Sequence, residues 1–260
     1  MAVLSVLCLV LAGMMNQSFK LLSMGQNQAQ TLQTLRVVSH IIAQDLQGAV
    51  LPADPANVTS FQFIQNPGGI TTDENPDAIF WQTATVNDAV NSDIACVGYF
   101  VMWDTTNAGN PRGKLCRFYD TSNDAANYVT YASANWITPG LIQAVASGTK
   151  AGNYQGLLAD NVIGFWVTFE AVDAQGNSIT LSKPFNSRAD HRLPTDAILS
   201  YAFIDPSAAA RLTPADVTVI QSHYNDYSAS NPPLFINALP KSLQPVVHIY
   251  STRVLFRRSN

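Results

Sequence analysis

The chain has 260 residues, of which 47% are hydrophobic and only 12% charged. Scarce charge beside ordinary apolar content excludes an intrinsically disordered chain, which needs the reverse. A formal net charge of -4, with 14 basic residues that form no run of five, argues against a nucleic-acid partner.

Met1–Met15 is apolar apart from Ser5. Fifteen residues at about 1.5 Å each span about 22 Å, short of the roughly 30 Å hydrocarbon core of a bilayer. Three readings compete: a secretory signal, a buried core helix, or the front of a longer membrane helix. A signal peptide needs a basic flank before its apolar run. Here the first basic residue is Lys20, and Cys8 after Leu7 makes a poor lipidation site.

The downstream residues favour a continuous helix. The first acidic residue is Asp45 and the first proline is Pro52. Leu32, Leu35, Val37, Val38, Ile41, Ile42, Leu46 and Val50 recur at helical spacing. The pattern predicts a helix over residues 1–50, ended by Pro52 and Pro55. Its front, with Val3, Leu4, Val6, Leu7, Leu9, Val10 and Leu11, is expected in membrane or in a filament core. The alternative is two shorter helices hinged near Gly25.

Beyond Pro52 the chain reads as β-rich. Strands are expected at Phe61–Gln65, Ala78–Val86, Ile94–Trp103, Lys114–Tyr119, Val162–Val172, Ser178–Ser182, Ala197–Ile204 and Val246–Arg257. Ile94–Trp103 is apolar on both alternations, which predicts a central strand covered on both faces. Asp173–Asn177 reads as a hairpin turn. Thr213, Pro214 and Asp216 carry the start signals of a helix that would run to about Tyr224. The expected architecture is therefore α+β: a long N-terminal helical spine packed against an antiparallel sheet domain, residues 51–260.

Cys96 and Cys116 lie in consecutive strand candidates. A disulfide between them is the expectation, with two buried thiols as the alternative. Asp73, Glu74 and Asp77 offer oxygen ligands of the type calcium prefers, although a solvated turn explains them as well. His40, His191, His223 and His248 show no metal-motif spacing. No nucleophile elbow, phosphate loop or dinucleotide fingerprint occurs. The expectation is a protein without catalysis and without a cofactor. Trp81, Tyr99, Trp103, Trp166, Tyr201 and Phe203 would suit a glycan platform if exposed and a core if buried. Arg253, Arg257 and Arg258 would suit phosphate or a solvated strand end.

Several segments together resemble type IV pilin-like proteins, especially the large minor pseudopilins of type II secretion and W-type minor pilins. Met1–Met15 looks like their hydrophobic helix joined a few residues late. Asp45, Leu46 and Ala49 fit the Asp-Leu-x-x-Ala pattern at the end of that helix. Val97–Val101 with Lys114–Tyr119, then Leu158–Phe165, then Leu239-Pro240 with Val246–Phe256, are similar to later segments of those proteins, in the same order. The glycine and glutamate of a pilin processing site are not visible, and under this resemblance the mature N-terminus is expected to lie upstream of Met1. The resemblance implies a structural subunit of a pilus-like or pseudopilus filament in the bacterial cell envelope, with a possible part in adhesion. It would be anchored in the inner membrane before assembly and extracytoplasmic afterwards, with other pilin or pseudopilin subunits as partners. A membrane-anchored glycan-binding module is the alternative.

Overall fold

A computed structural model describes residues 2–49, 63–66, 76–84, 94–104, 109–121, 156–173, 175–192 and 194–256. Among the described residues nine strands form two antiparallel sheets. The first contains β1 (Phe63–Gln65), β2 (Ala78–Ala84), β3 (Ile94–Asp104), β4 (Arg112–Thr121) and β5 (Leu157–Asp160), in that spatial order. The second contains β6 (Val162–Val172), β7 (Ser178–Thr180), β8 (Asp196–Ile204) and β9 (Val247–Leu255), ordered β7-β6-β8-β9. Helices are α1 (Ala2–Gln47), α2 (Ser187–Asp190), α3 (Pro206–Ala209), α4 (Pro214–Ser222) and α5 (Pro233–Ala238).

Only Asn161 separates β5 from β6, and it takes the left-handed backbone conformation, φ 63°. Asparagine tolerates that region better than most residues. The chain turns there from one sheet into the other. Gly113 permits the close approach: a Cβ at that position would lie 2.3 Å from the Val162 carbonyl oxygen.

The main core lies between the sheets. Trp81, Val97, Tyr99, Val101 and Leu115 of the first sheet meet Phe165, Val167, Phe169, Leu199 and Tyr201 of the second. Phe63 stacks on Trp81 at 5.3 Å and meets Phe169 edge-on at 4.9 Å, both favoured aromatic geometries. On its other face the second sheet packs Ile163, Trp166 and Ala202 against Val217, Ile220, Tyr224 and Phe235. The first sheet also carries a buried cluster of Phe80, Phe100 and Phe118 on its outer face. The central β3 is thus buried on both alternations, as its composition predicts.

A buried carboxylate joins the sheets. Asp77 accepts from the Val167 N–H at 2.7 Å, from Lys183 Nζ at 2.5 Å and from Asn66 Nδ2 at 2.8 Å. Burial pushes its carboxyl above the usual range, and the Lys183 ammonium only partly offsets this. Local chemistry shapes other elements as expected. Thr213 and Asp216 form a reciprocal capping box at the start of α4. Asp173 accepts from the N–H groups of Gln175 and Asn177 at the β6–β7 hairpin, which holds its carboxyl below the usual range.

The expectation of a long spine packed against one sheet domain is corrected. Two antiparallel sheets, and no long helical spine, organise the described residues. Although α1 spans Ala2–Gln47, its buried side chains among the described residues are Leu35, Val38, Ser39, Ile42 and Leu46, all within residues 31–47. The physical reason is that β6 is apolar on both faces and needs cover on both. The first sheet covers one face and α3–α5 the other. A helix is left to fill only the remaining gap.

Candidate functional site

The end of α1 is anchored by a stripe and a polar tie. Leu35, Val38, Ile42 and Leu46 sit on one helical face and are all buried in the main core. Leu32 and Val37, also part of the apolar pattern, face outward. One turn from the helix end, Asp45 accepts from Arg117 Nε at 2.8 Å and from the Tyr99 hydroxyl. Arg117 Nε also lies 3.0 Å from the Tyr99 oxygen, and the Trp81 indole N–H donates to the Asp45 carbonyl at 3.3 Å. The Arg117 guanidinium lies 4.7 Å from the Tyr119 ring centroid, within cation–π range. Burial, reinforced by Asp45, holds the Tyr99 phenol well above its ordinary value, so it stays a donor. Ala49 then makes a β-bridge to Thr83 of β2.

This cluster pairs one carboxylate with one guanidinium and is closed by aromatic groups. It fastens a helix rather than presenting a ligand position. It also gives Asp45, Leu46 and Ala49 a structural meaning: tie, core contact and bridge to the sheet. Arg117 is the partner that sequence reasoning missed. Its signal was a lone cation inside the apolar run Leu115–Tyr119, which must find a carboxylate if the strand is buried.

Further up α1 the surface changes. Met14, Met15, Phe19 and Leu22 are each at least 58% exposed. Ser18, Gly25 and Ala29 are exposed as well. The side chains of Val3, Leu4, Val6, Leu7, Leu9, Val10 and Leu11 lie outside the described residues. Among the described residues no helix is long and apolar enough to cross a membrane.

Two expected sites are corrected. Cys96 faces Asp120 across the β3–β4 ladder, while Cys116 faces Phe100. The two cysteines are therefore four positions out of register, about 13 Å along a strand, beyond disulfide reach. Both remain buried thiols, and burial pushes Cys116 up to about 12. Asp77 is no calcium ligand: its oxygens already accept from three donors, one of them a cation. Asp73 and Glu74 lie outside the described residues. Among the described residues no group of three His, Cys, Asp or Glu side chains is placed to hold a metal.

The six aromatics considered for glycan stacking are all buried. His40 and His191 are exposed. His223 Nδ1 lies 2.7 Å from Asp226, and His248 Nε2 lies 3.3 Å from Asp205. Arg253 is held by Asp196 at 2.8 Å and by Glu170. No family model, curated protein or solved structure matches this chain.

Proposed function

We propose that the chain is a non-enzymatic structural subunit of a type IV pilus-like or type II secretion pseudopilus filament, assembled through the N-terminal part of α1. One observation carries this reading: Met14, Met15, Phe19 and Leu22 project from α1 with most of their surface exposed. Each such side chain gains about 1 kcal/mol or more when covered. Met15 and Phe19 are four residues apart and Phe19 and Leu22 three, so these three neighbour one another on one helical face, and an apolar surface of this kind marks an assembly or membrane site. The fastening of residues 31–47 supports the same reading, because it ties the exposed segment to the sheet body. The sequence resemblance to pilin-like proteins supplies the filament, the envelope location and the inner-membrane stage before assembly.

The test uses the full chain, released from detergent by dilution, with sedimentation and negative-stain microscopy. Sedimenting polymers are expected. The double variant Phe19→Glu with Leu22→Glu should stay monomeric while its thermal midpoint is unchanged. A full chain that remains a monodisperse monomer without detergent sinks the proposal.

A further inference from the structure

We infer that the outer edge of β9, together with the α1 face bearing Arg36 and His40, is a docking groove for an acidic, extended segment of a partner protein. The edges of the two sheets differ in length. Among the described strands four are edges: β1 with 3 residues, β5 with 4, β7 with 3, and β9 with 9. Short edges offer little to an incoming strand. The β4–β5 ladder is further broken by a register shift. β9 is the long, straight exception. It pairs with β8 in unbroken register from Val247 to Leu255 and contains neither proline nor lysine. In an antiparallel ladder about every second residue of an edge strand turns its N–H and C=O away from its partner. An extended chain of matching length can be taken up there by backbone hydrogen bonds.

The second observation is the groove beside that edge. A depression of about 470 Å³ runs between α1 and β9. Arg36 and His40 line it from the helix, Arg253 from the strand, and among the described residues no acidic side chain lines it. Arg36 and His40 are four residues apart, so they share one helical face, and both are exposed. Arg253 is already compensated by Asp196 and Glu170. Among the described residues the positive charge of the groove that no carboxylate compensates is therefore that of Arg36 on α1, with the His40 imidazole beside it as a hydrogen-bonding group, while the whole chain carries a net charge of -4. At the far end of β9, Leu255 is 65% exposed and offers an apolar contact.

Charge selects the occupant. A second copy pairing β9 with β9 would bring the two Arg36 guanidinium groups, of like charge, to one paired edge. A strand carrying carboxylates on alternate residues meets them with opposite sign, and its backbone completes the edge.

The test measures fluorescence anisotropy of a dye-labelled nine-residue peptide that alternates valine and glutamate, added to the full chain. Two control peptides replace each glutamate by lysine, or interrupt the glutamate peptide with proline at alternate positions. The glutamate peptide should bind at least about tenfold more tightly than either control. The double variant Arg36→Glu with His40→Glu should weaken that binding by about tenfold or more. Hydrogen exchange should slow within β9 when the glutamate peptide is present. Equal binding of the glutamate and lysine peptides overturns the inference, as does unchanged binding by the double variant. Full binding by the proline-interrupted peptide also overturns it, because it shows charge contact without strand addition. Concentration-dependent protection of β9 without peptide would assign the edge to a second copy, against the inference.

Discussion

Residues 14–29 and residues 31–47 belong to the same helix and lack acidic residues until Asp45, yet they stand in opposite relation to the rest of the molecule. In the first segment Met14, Met15, Phe19 and Leu22 point away from any core. In the second, Leu35, Val38, Ile42 and Leu46 close the space between two sheets, and Asp45 is gripped by Arg117 and Tyr99. Apolar content does not separate the two; what differs is whether this chain itself supplies the cover. An apolar helical stripe states that a partner is needed and leaves open which partner.

The contrast can be broken most severely at the tie. Asp45→Ala takes the carboxylate away from Arg117 and from the Tyr99 hydroxyl at once and is expected to cost about 3–5 kcal/mol, the usual penalty for removing one partner of a largely buried ion pair. Urea unfolding measures it. A loss under about 1 kcal/mol would mean that the tie does not fasten α1. Next comes Ile42→Ala, which opens a cavity at a fully buried position and is expected to cost about 2–4 kcal/mol in the same assay.

A smaller effect separates the body from the exposed segment by pH. Burial raises the Asp77 carboxyl above its reference value of 3.8, so the folded chain holds that proton more tightly than the unfolded chain does. The resulting stability is fully present below pH 3.8 and is lost as pH rises through the folded value. The melting temperature of the parent chain minus that of Asp77→Asn should therefore be largest in acid and shrink toward neutrality. A difference that grows with pH would reverse the assignment. The smallest effect is Leu22→Ala, within about 0.5 kcal/mol for the monomer because that side chain touches no core. A larger loss in the unfolding of dilute monomer would show that residues 14–29 do belong to the body.

Much of the local structure is legible in the residues. β3 announces burial on both faces through its uninterrupted apolar run, and the structure places it at the centre of the first sheet. Thr213 and Asp216 mark the start of α4, although the regular helix stops at Ser222 and gives way to a 3-10 turn over Tyr224–Asp226. The hairpin at Asp173 follows from its side chain and Gly176, whose φ is +86°. The three short helices at 187–190, 206–209 and 233–238 are harder to see, because one turn is too brief to show a period.

The site was legible only in halves. Asp45, Leu46 and Ala49 stood out as a pattern at the helix end, but their partners Arg117, Tyr99 and Thr83 lie far along the chain. The cysteines show the limit most sharply. Consecutive strands bring Cys96 and Cys116 into one ladder, yet pairing register sets them four positions apart. A local pattern carries no register.

The sequence alone determined where eight of the nine described strands form, β5 being the exception, where the chain turns at Asp173, how α4 begins and which stripe of α1 seeks cover. Those properties arise from dihedral preference, capping and periodicity, which act within a few residues. The tertiary structure decided that the strands divide into two sheets, that β9 is left as the long edge, that Asp77 joins the sheets and that Arg117 seizes the helix end. Each of these depends on which distant residues meet, and that is selected by the free energy of burying both faces of β6 at once.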